Sequence, residues 1–132
     1  MKLLLLILIG LAVVASKVSD DIIEKWENKI SAFKDKCLKA HGADSEVIHS
    51  IIKHLKFADH DQGTKCFYKC IYLDLDVFDS NGHFSAEKFV KTMPWLAQES
   101  ASKCATQTES EHDDKCEKSY QMAKCILNDL SA

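Results

Sequence analysis

The sequence predicts an all-α protein, and three observations support this. Its 132 residues include only four glycines and one proline, whereas an all-β domain needs far more turn residues. Between these breakers, apolar residues recur at intervals of three or four, the spacing of one helix face. Six cysteines in so short a chain are typical of a small secreted domain held together by disulfides. We therefore expect one compact, disulfide-stapled domain of six helices.

The first sixteen residues differ from the rest of the chain. A lysine at position 2 precedes an almost unbroken apolar run over residues 3–14, and small residues follow. This pattern is typical of a secretory signal peptide, and the run is shorter than the roughly 20 residues that cross a bilayer. We predict a signal peptide over residues 1–16, a single domain over residues 17–132, and a secreted, extracellular protein.

Two helices are predicted in the first third of the domain. A stripe from Ile22 to Cys37 forms the first, with Ser19 as its N-cap and Gly42 at its end. The strongly apolar segment 47–55 forms the second, with a cap at residue 44 or 45. Both predictions rest on spacing and on capping chemistry.

The third and fourth helices flank a polar turn. After a loop over residues 59–64, the third helix runs from Lys65 to about Phe78, and residues 79–82 form a turn. Ser85 caps the fourth helix, which ends at Met93 because the next residue is proline. Phe84 is expected to pack on Phe89 across this cap.

The last two helices are predicted over residues 96–105 and 112–127, joined by the polar run 106–111. Cys125 lies nine positions after Cys116, so the two lie on opposite faces of the sixth helix and bond to different neighbours. Cys66 and Cys70 share a face of the third helix and cannot easily bond to each other. These constraints reduce the fifteen possible pairings without selecting one.

The cysteine spacing resembles that of the insect odorant-binding proteins of the pheromone and general odorant type. Three residues separate the second and third cysteines and eight the fifth and sixth, as in that family, and the gaps of 28, 33 and 11 fall within its usual ranges. The segments 66–70, 79–82 and 114–118 also look like family segments. One departure is Asp76, where many relatives have glycine.

This resemblance implies a fold, a function and a disulfide pairing. The implied pairs are Cys37–Cys70, Cys66–Cys116 and Cys104–Cys125, a frame that can enclose an apolar cavity. The implied function is a non-enzymatic carrier that delivers odorants or pheromones to chemosensory receptors. An alternative is a carrier of lipids or hormones with the same fold in saliva, venom, haemolymph or reproductive fluid.

The ligand implied by the resemblance is small and mostly apolar, so its pocket should be apolar and aromatic with one or two polar anchors. Tyr68 and Leu73 match positions that face the cavity in relatives, and the hydroxyl of Tyr68 or Tyr120 is a candidate anchor. The remaining candidates are apolar residues on the elements that build the family's cavity. They are Leu55, Val77, Phe84, Phe89, Met93, Met122, Ile126 and Leu130.

Other chemistry finds little support in the sequence. The net charge is −3 and arginine is absent, which argues against nucleic acid and anionic membrane surfaces as partners. No cofactor and no metal are expected, because C-x-x-C pairs are missing and an EF-hand alignment on Gly82 places Val77 and Lys88 where acids are required. A saposin-like protein would normally carry C-x-x-C pairs, and a stapled toxin or signalling ligand would lack a cavity.

Two further expectations concern partners and pH. Besides the ligand and a receptor, a weak homodimer is among the expected partners, and stable membrane insertion is not expected. The six histidines are scattered among charged residues. We consider the hypothesis that acidification loosens the cavity through one of these histidines. The candidate is His54, which lies beside Leu55 in the sequence.

Overall fold

A computed structural model describes residues 17–132, so the predicted signal peptide lies outside the described residues. Within this range the chain forms seven α-helices, and its one β-feature is an isolated antiparallel bridge between Phe78 and Phe84. The all-α prediction is confirmed, with seven helices in place of six. The helices are α1 (Asp20–Ile30), α2 (Lys34–His41), α3 (Ser45–His54), α4 (Gln62–Asp74), α5 (Ala86–Thr92), α6 (Gln98–Glu111) and α7 (Lys115–Ser131).

The additional helix arises because the predicted first helix is divided in two. Ser19 caps α1 and Gly42 ends α2 in a left-handed conformation, both as predicted. Between them, the N–H of Phe33 bonds to the carbonyl of Ile30 at 2.9 Å, three residues back, which tightens the chain into a turn. This turn lets α2 hold Cys37 against α4 while α1 follows a separate path.

The predicted third helix ends four residues earlier than expected, at Asp74. Asp76 adopts a positive φ of 59°, and the next N–H, of Val77, bonds back to the carbonyl of Tyr72. The N–H of Asp76 bonds to the carbonyl of Leu73, which completes a Schellman motif. The structure thus places Asp76 in the left-handed conformation that glycine adopts most easily.

The bounds of the last two helices also differ from those predicted. The polar run 106–111 is the C-terminal part of α6, because Thr108 continues a buried stripe formed by Ala101, Cys104 and Ala105. Helix α7 begins after Asp114, whose carboxylate accepts a hydrogen bond from the N–H of Glu117 at 2.8 Å. Side-chain capping, rather than the apolar pattern, therefore fixes where α7 starts.

Three disulfides tie the helices together. Cys37 bonds to Cys70, Cys66 to Cys116, and Cys104 to Cys125, which is the pairing that the family resemblance implies. Helix α4 lies at the centre of this frame, since its two cysteines connect it to α2 and α7. Helix α7 packs along α4 and is linked to α6.

Side chains from all seven helices share one hydrophobic core. Phe67 and Ile71 on α4 are fully buried, as are Ile30 on α1 and Phe89 on α5. Among the helices of residues 17–132, none combines the length and the apolar character that crossing a bilayer requires.

Candidate functional site

An apolar cavity opens between α1, α4 and α7. Its volume is about 40 Å³, within about 450 Å³ of atom-free space that includes the solvent at its open side. A cavity of this size has room for about three water molecules. The lining residues are Val18, Ile22, Ile23, Trp26, Ile52, Tyr68, Tyr72, Met93, Trp95, Ala123, Ile126, Leu127 and Leu130.

The rim of the cavity is half-buried and its floor is buried. On α1, Ile22, Ile23 and Trp26 are half-buried, because this helix turns its apolar face towards the cavity while its other face carries charged residues. Trp95 and Leu127 are half-buried at the rim as well. A ligand larger than a few waters must therefore separate these partly exposed side chains, which are freer to move than the floor.

The aromatic part of the floor comes from α4. Tyr68 and Tyr72 are four residues apart, so both project from the same face of the helix, with ring centroids 6.2 Å apart. Behind Tyr72, the ring of Phe89 lies 5.1 Å away in an edge-to-face arrangement. Trp26 approaches Tyr72 from α1, with centroids 6.4 Å apart.

Helix α7 provides the opposite wall through Ala123, Ile126, Leu127 and Leu130. These residues recur at intervals of three or four and so form one helical stripe. The Cys66–Cys116 disulfide fixes the beginning of α7 against α4. The two walls are therefore linked covalently at one end of α7, while α1 has no disulfide of its own.

Tyr120, one candidate for the polar anchor, is engaged elsewhere. Its hydroxyl donates to Asp59 Oδ1 at 2.7 Å and accepts from the backbone N–H of Ala58 at 2.8 Å. These bonds tie the loop after α3 to α7. The hydrogen bond from Tyr120 and a second one from Lys124 lower the pKa of Asp59.

Tyr68, the other candidate, is in the opposite situation. It is 2% exposed, and among the described residues its hydroxyl has no hydrogen-bond partner. Burial raises the pKa of this phenol, and the nearby phenol of Tyr120 and carboxylate of Glu27 raise it further. Its hydroxyl is thus a neutral group at every physiological pH.

Four of the predicted ligand-binding residues line the cavity, namely Tyr68, Met93, Ile126 and Leu130. That they bind a ligand stays a prediction. Among the predicted residues that do not line the cavity, Leu73 is 39% exposed on the surface. It follows Tyr68 by five positions, which turns its side chain about 140° around the helix.

The other five predicted residues occupy different places. Phe89 and Met122 are fully buried in the core without lining the cavity, whereas Val77 and Phe84 line a separate shallow groove beside the turn before α5. Leu55 is the left-handed C-cap of α3. These five residues do not line this cavity, and that they bind a ligand stays a prediction.

Several lining residues were not predicted. Tyr72 could have been found, because it lies one helical turn after Tyr68. The α1 stripe of Ile22, Ile23 and Trp26 was recognised as a helix face, but its spacing does not say what the face covers. Val18 and Trp95 lie outside helices, in segments without periodicity.

Two other groups of side chains offer no second site. Cys37, Cys70 and Asp74 lie close together, but the two sulfurs are bonded to each other and offer no thiolate. His54 is exposed at the end of α3 and does not line the cavity. The hypothesis that His54 opens the cavity on acidification therefore loses its structural basis.

Comparison with known proteins decides the family. The sequence model of the PBP/GOBP family matches residues 19–129. The chain belongs to this family. It is also similar to general odorant-binding protein 57e of Drosophila melanogaster, with 27% identity over 94 residues that cover 68% of each chain. No solved structure is a significant match.

Membership of the PBP/GOBP family agrees with the six-cysteine frame. The matched region begins at the N-cap of α1 and ends near the C-terminus of α7, so it contains all three disulfides and every lining residue except Val18 and Leu130. The resemblance read from the cysteine spacing is thereby confirmed.

Proposed function

We propose that this protein is a secreted, non-enzymatic carrier that binds small hydrophobic molecules in the cavity between α1, α4 and α7. The observation that carries the proposal is the lining, which is aromatic and aliphatic and belongs to a member of the PBP/GOBP family. Ligand sites are typically concave and apolar with few polar groups. Three disulfides suit an oxidising, extracellular environment.

The ligand would enter through the half-buried rim. Displacing the few waters that the cavity can hold, and covering the exposed parts of Trp26, Trp95 and Leu127, provides the hydrophobic driving force. The disulfide frame limits expansion on the side of α4 and α7. We therefore expect α1, which carries no cysteine, to shift when a ligand binds.

In the olfactory form of the proposal, the carrier binds odorants, as the name of its Drosophila relative says of that protein, and delivers odorants or pheromones to a chemosensory receptor. The alternative keeps the same cavity but places the protein in a non-olfactory secretion. Expression in antennal tissue supports the first form, and expression confined to glands or haemolymph supports the second.

A binding assay with a matched pair of variants tests the carrier function. The fluorescent probe N-phenyl-1-naphthylamine should bind the pure protein at micromolar concentration and be displaced by long-chain volatiles. Leu127→Glu, which puts a charge at the cavity rim, should weaken probe binding at least tenfold. Leu73→Glu makes the same change at an exposed leucine away from the cavity and should leave binding unchanged.

Two results would contradict this assignment. If the unmodified protein binds no apolar probe, the carrier function is wrong. If the two leucine variants behave alike while circular dichroism shows both folded, binding occurs elsewhere than in this cavity.

A further inference from the structure

Each of the three disulfides joins a buried cysteine to a half-buried one. The buried cysteines are Cys37, Cys104 and Cys116, and their half-buried partners are Cys70, Cys125 and Cys66. In thiol–disulfide exchange, an attacking thiolate bonds to one sulfur and the other sulfur leaves as a thiolate. Because the attack occurs where access is easier, the buried sulfur must carry the charge, and its surroundings distinguish the three bridges.

Two of the buried sulfurs lie where a thiolate is disfavoured. The Sγ of Cys37 is 3.6 Å from a carboxylate oxygen of Asp74, and like charges repel each other at that distance. Lys36 pairs with the same carboxylate at 2.6 Å, but its side chain is exposed and hydrated, so it offsets only part of the repulsion. Cys104 is the seventh of the fourteen residues of α6 and belongs to the hydrophobic core, where a charged sulfur loses its hydration.

The third buried sulfur lies at a helix N-terminus, because Cys116 is the second residue of α7. The first main-chain hydrogen bond of this helix runs from the N–H of Lys118 to the carbonyl of Asp114 at 2.8 Å, and the Asp114 carboxylate accepts the N–H of Glu117. The N–H groups of Lys115 and Cys116 precede these bonds and have no acceptor within the helix. Together with the helix dipole, they stabilise a thiolate at Cys116.

The half-buried sulfur of the same bridge has a donor beside it as well. The side-chain Nε2 of Gln62 lies 3.5 Å from the Sγ of Cys66, one turn earlier on α4, and its N–H can donate to the sulfur. The carboxylate of Glu117, next to Cys116, pairs with Lys65 at 2.5 Å, so its negative charge is balanced. Among the bridges of residues 17–132, donors at both sulfurs therefore favour charge development at this one.

We propose that Cys66–Cys116 is an exchangeable disulfide and that the Sγ of Cys66 is a site of modification by low-molecular-weight thiols. The thiolate of such a thiol bonds to Cys66 Sγ, the bond between the two cysteines breaks, and its electron pair leaves on Cys116 Sγ. A second thiolate then attacks the sulfur of the attached thiol and releases Cys66. In the sum, two thiols are oxidised to one disulfide, the protein disulfide is reduced to two cysteines, and the two thiol protons pass to them.

Opening this bridge acts on the cavity without dismantling the frame. The bridge connects α4 to the first turn of α7, and these two helices carry the facing walls. After opening, Cys104–Cys125 still ties α7 to α6, and the pair of Lys65 with Glu117 still links α4 to α7. We expect the walls to separate more easily and the affinity for a ligand to fall. This consequence rests on the proposed carrier function, whereas the exchange site does not.

Peptide mapping during exchange with glutathione tests the site. Every cysteine of the chain follows a lysine, so trypsin recovers each one at the start of its own peptide. The folded protein is incubated with millimolar glutathione at pH 7, and samples are trapped with N-ethylmaleimide before digestion. Glutathione should attach to Cys66, and the thiols of Cys66 and Cys116 should appear about tenfold faster than those of the other four cysteines.

Three variants test the physical cause. Gln62→Met removes the donor beside Cys66 and should slow the exchange about threefold, as the loss of one weak hydrogen bond implies. Gln98→Met makes the same change at the first residue of α6, where the amide donates to Ser102 instead of a sulfur, and should leave the rate unchanged. Asp74→Asn removes the carboxylate beside Cys37 and should speed the opening of that bridge.

The inference is overturned if another bridge of the unmodified protein opens first, if all three open together, or if glutathione attaches to Cys116 in place of Cys66. Equal exchange rates in Gln62→Met and Gln98→Met would overturn the role of the amide donor. The variant Cys66→Ser/Cys116→Ser should bind N-phenyl-1-naphthylamine less tightly than the unmodified protein, and equal affinity would refute the coupling to the cavity. If the unmodified protein binds no probe, the carrier function fails, while the order of exchange still decides the modification site.

Discussion

Replacing Tyr120 with phenylalanine should destabilise the protein in a pH-dependent manner. The change removes only the hydroxyl, which joins the loop after α3 to α7 by bonds of 2.8 Å from Ala58 N–H and 2.7 Å to Asp59. The aromatic ring keeps its buried contacts, including the ammonium of Lys65 at 5.7 Å from its centroid.

The expected loss at pH 7 follows from the two bonds. The part-buried N–H of Ala58 loses its acceptor, which costs about 1 kcal/mol. The hydrogen bond to Asp59 involves a charged carboxylate. That carboxylate is 52% exposed and keeps its ion pair with Lys124, so water can replace the lost donor. We therefore assign about 1 kcal/mol to this hydrogen bond as well. Urea unfolding should therefore give a free energy of unfolding about 2 kcal/mol lower, with an unchanged m-value.

The sign of the pH dependence follows from the pKa of Asp59. The hydrogen bond from Tyr120 is the largest cause that lowers this pKa below 3.8. A lowered pKa stabilises the folded state above the unfolded value, and this stabilisation is lost as the pH falls through the folded value. The difference between Tyr120→Phe and the unmodified protein should thus be full at pH 7 and smaller below about pH 3.8.

A double-mutant cycle supplies the control. Asp59→Asn keeps an acceptor but removes the charge, so combining it with Tyr120→Phe isolates the charged part of the interaction. A Tyr120→Phe variant within 0.5 kcal/mol of the unmodified protein at pH 7 would refute the reasoning, given that one net hydrogen bond is worth about 1 kcal/mol. An identical difference at pH 7 and pH 3 would refute the role of Asp59.

Two further predictions concern the frame. Gly63→Ala should lower the unfolding free energy by about 1–3 kcal/mol, because a Cβ there would lie 2.9 Å from the backbone carbonyl oxygen of His41. Gln62→Ala, at an exposed neighbouring position, is the control. Equal stability of the two variants in urea unfolding would refute the clash. The double variant Cys66→Ser/Cys116→Ser removes one disulfide and should lower the free energy of unfolding by about 4 kcal/mol in the chain-entropy model, since the bridge spans a sequence separation of 50. Thermal unfolding with the other two disulfides intact checks this, and an unchanged Tm would contradict it.

Local chemistry was enough to predict the N-termini of three helices, α1, α3 and α5. Ser19, Asp44 and Ser85 cap helices through side-chain hydrogen bonds, as their positions suggested. The ring of Phe84 packs against that of Phe89 across the Ser85 cap, with centroids 5.9 Å apart. These features depend on residues close in sequence, which is why the pattern predicts them.

Errors arose where distant contacts override local pattern. The run 106–111 is polar, yet Thr108 is buried and continues the inward face of α6, a helix that packs against α7. The stripe from Ile22 to Cys37 fits one helix, yet the chain turns near Phe33 so that Cys37 reaches Cys70. In both cases the deciding partner lies far along the chain.

The sequence by itself determined the helical class, and the spacing of its six cysteines carried the family resemblance that implies the disulfide pairing. Periodicity reports which residues face inwards, because the helix repeat is local. Only the tertiary structure decided which inward-facing residues meet empty space: Tyr68 and Tyr72 face the cavity, whereas Phe89 is enclosed by core. It also decided that the Tyr120 hydroxyl is engaged and that of Tyr68 is not, because hydrogen-bond partners sixty residues apart in sequence meet only when the helices pack.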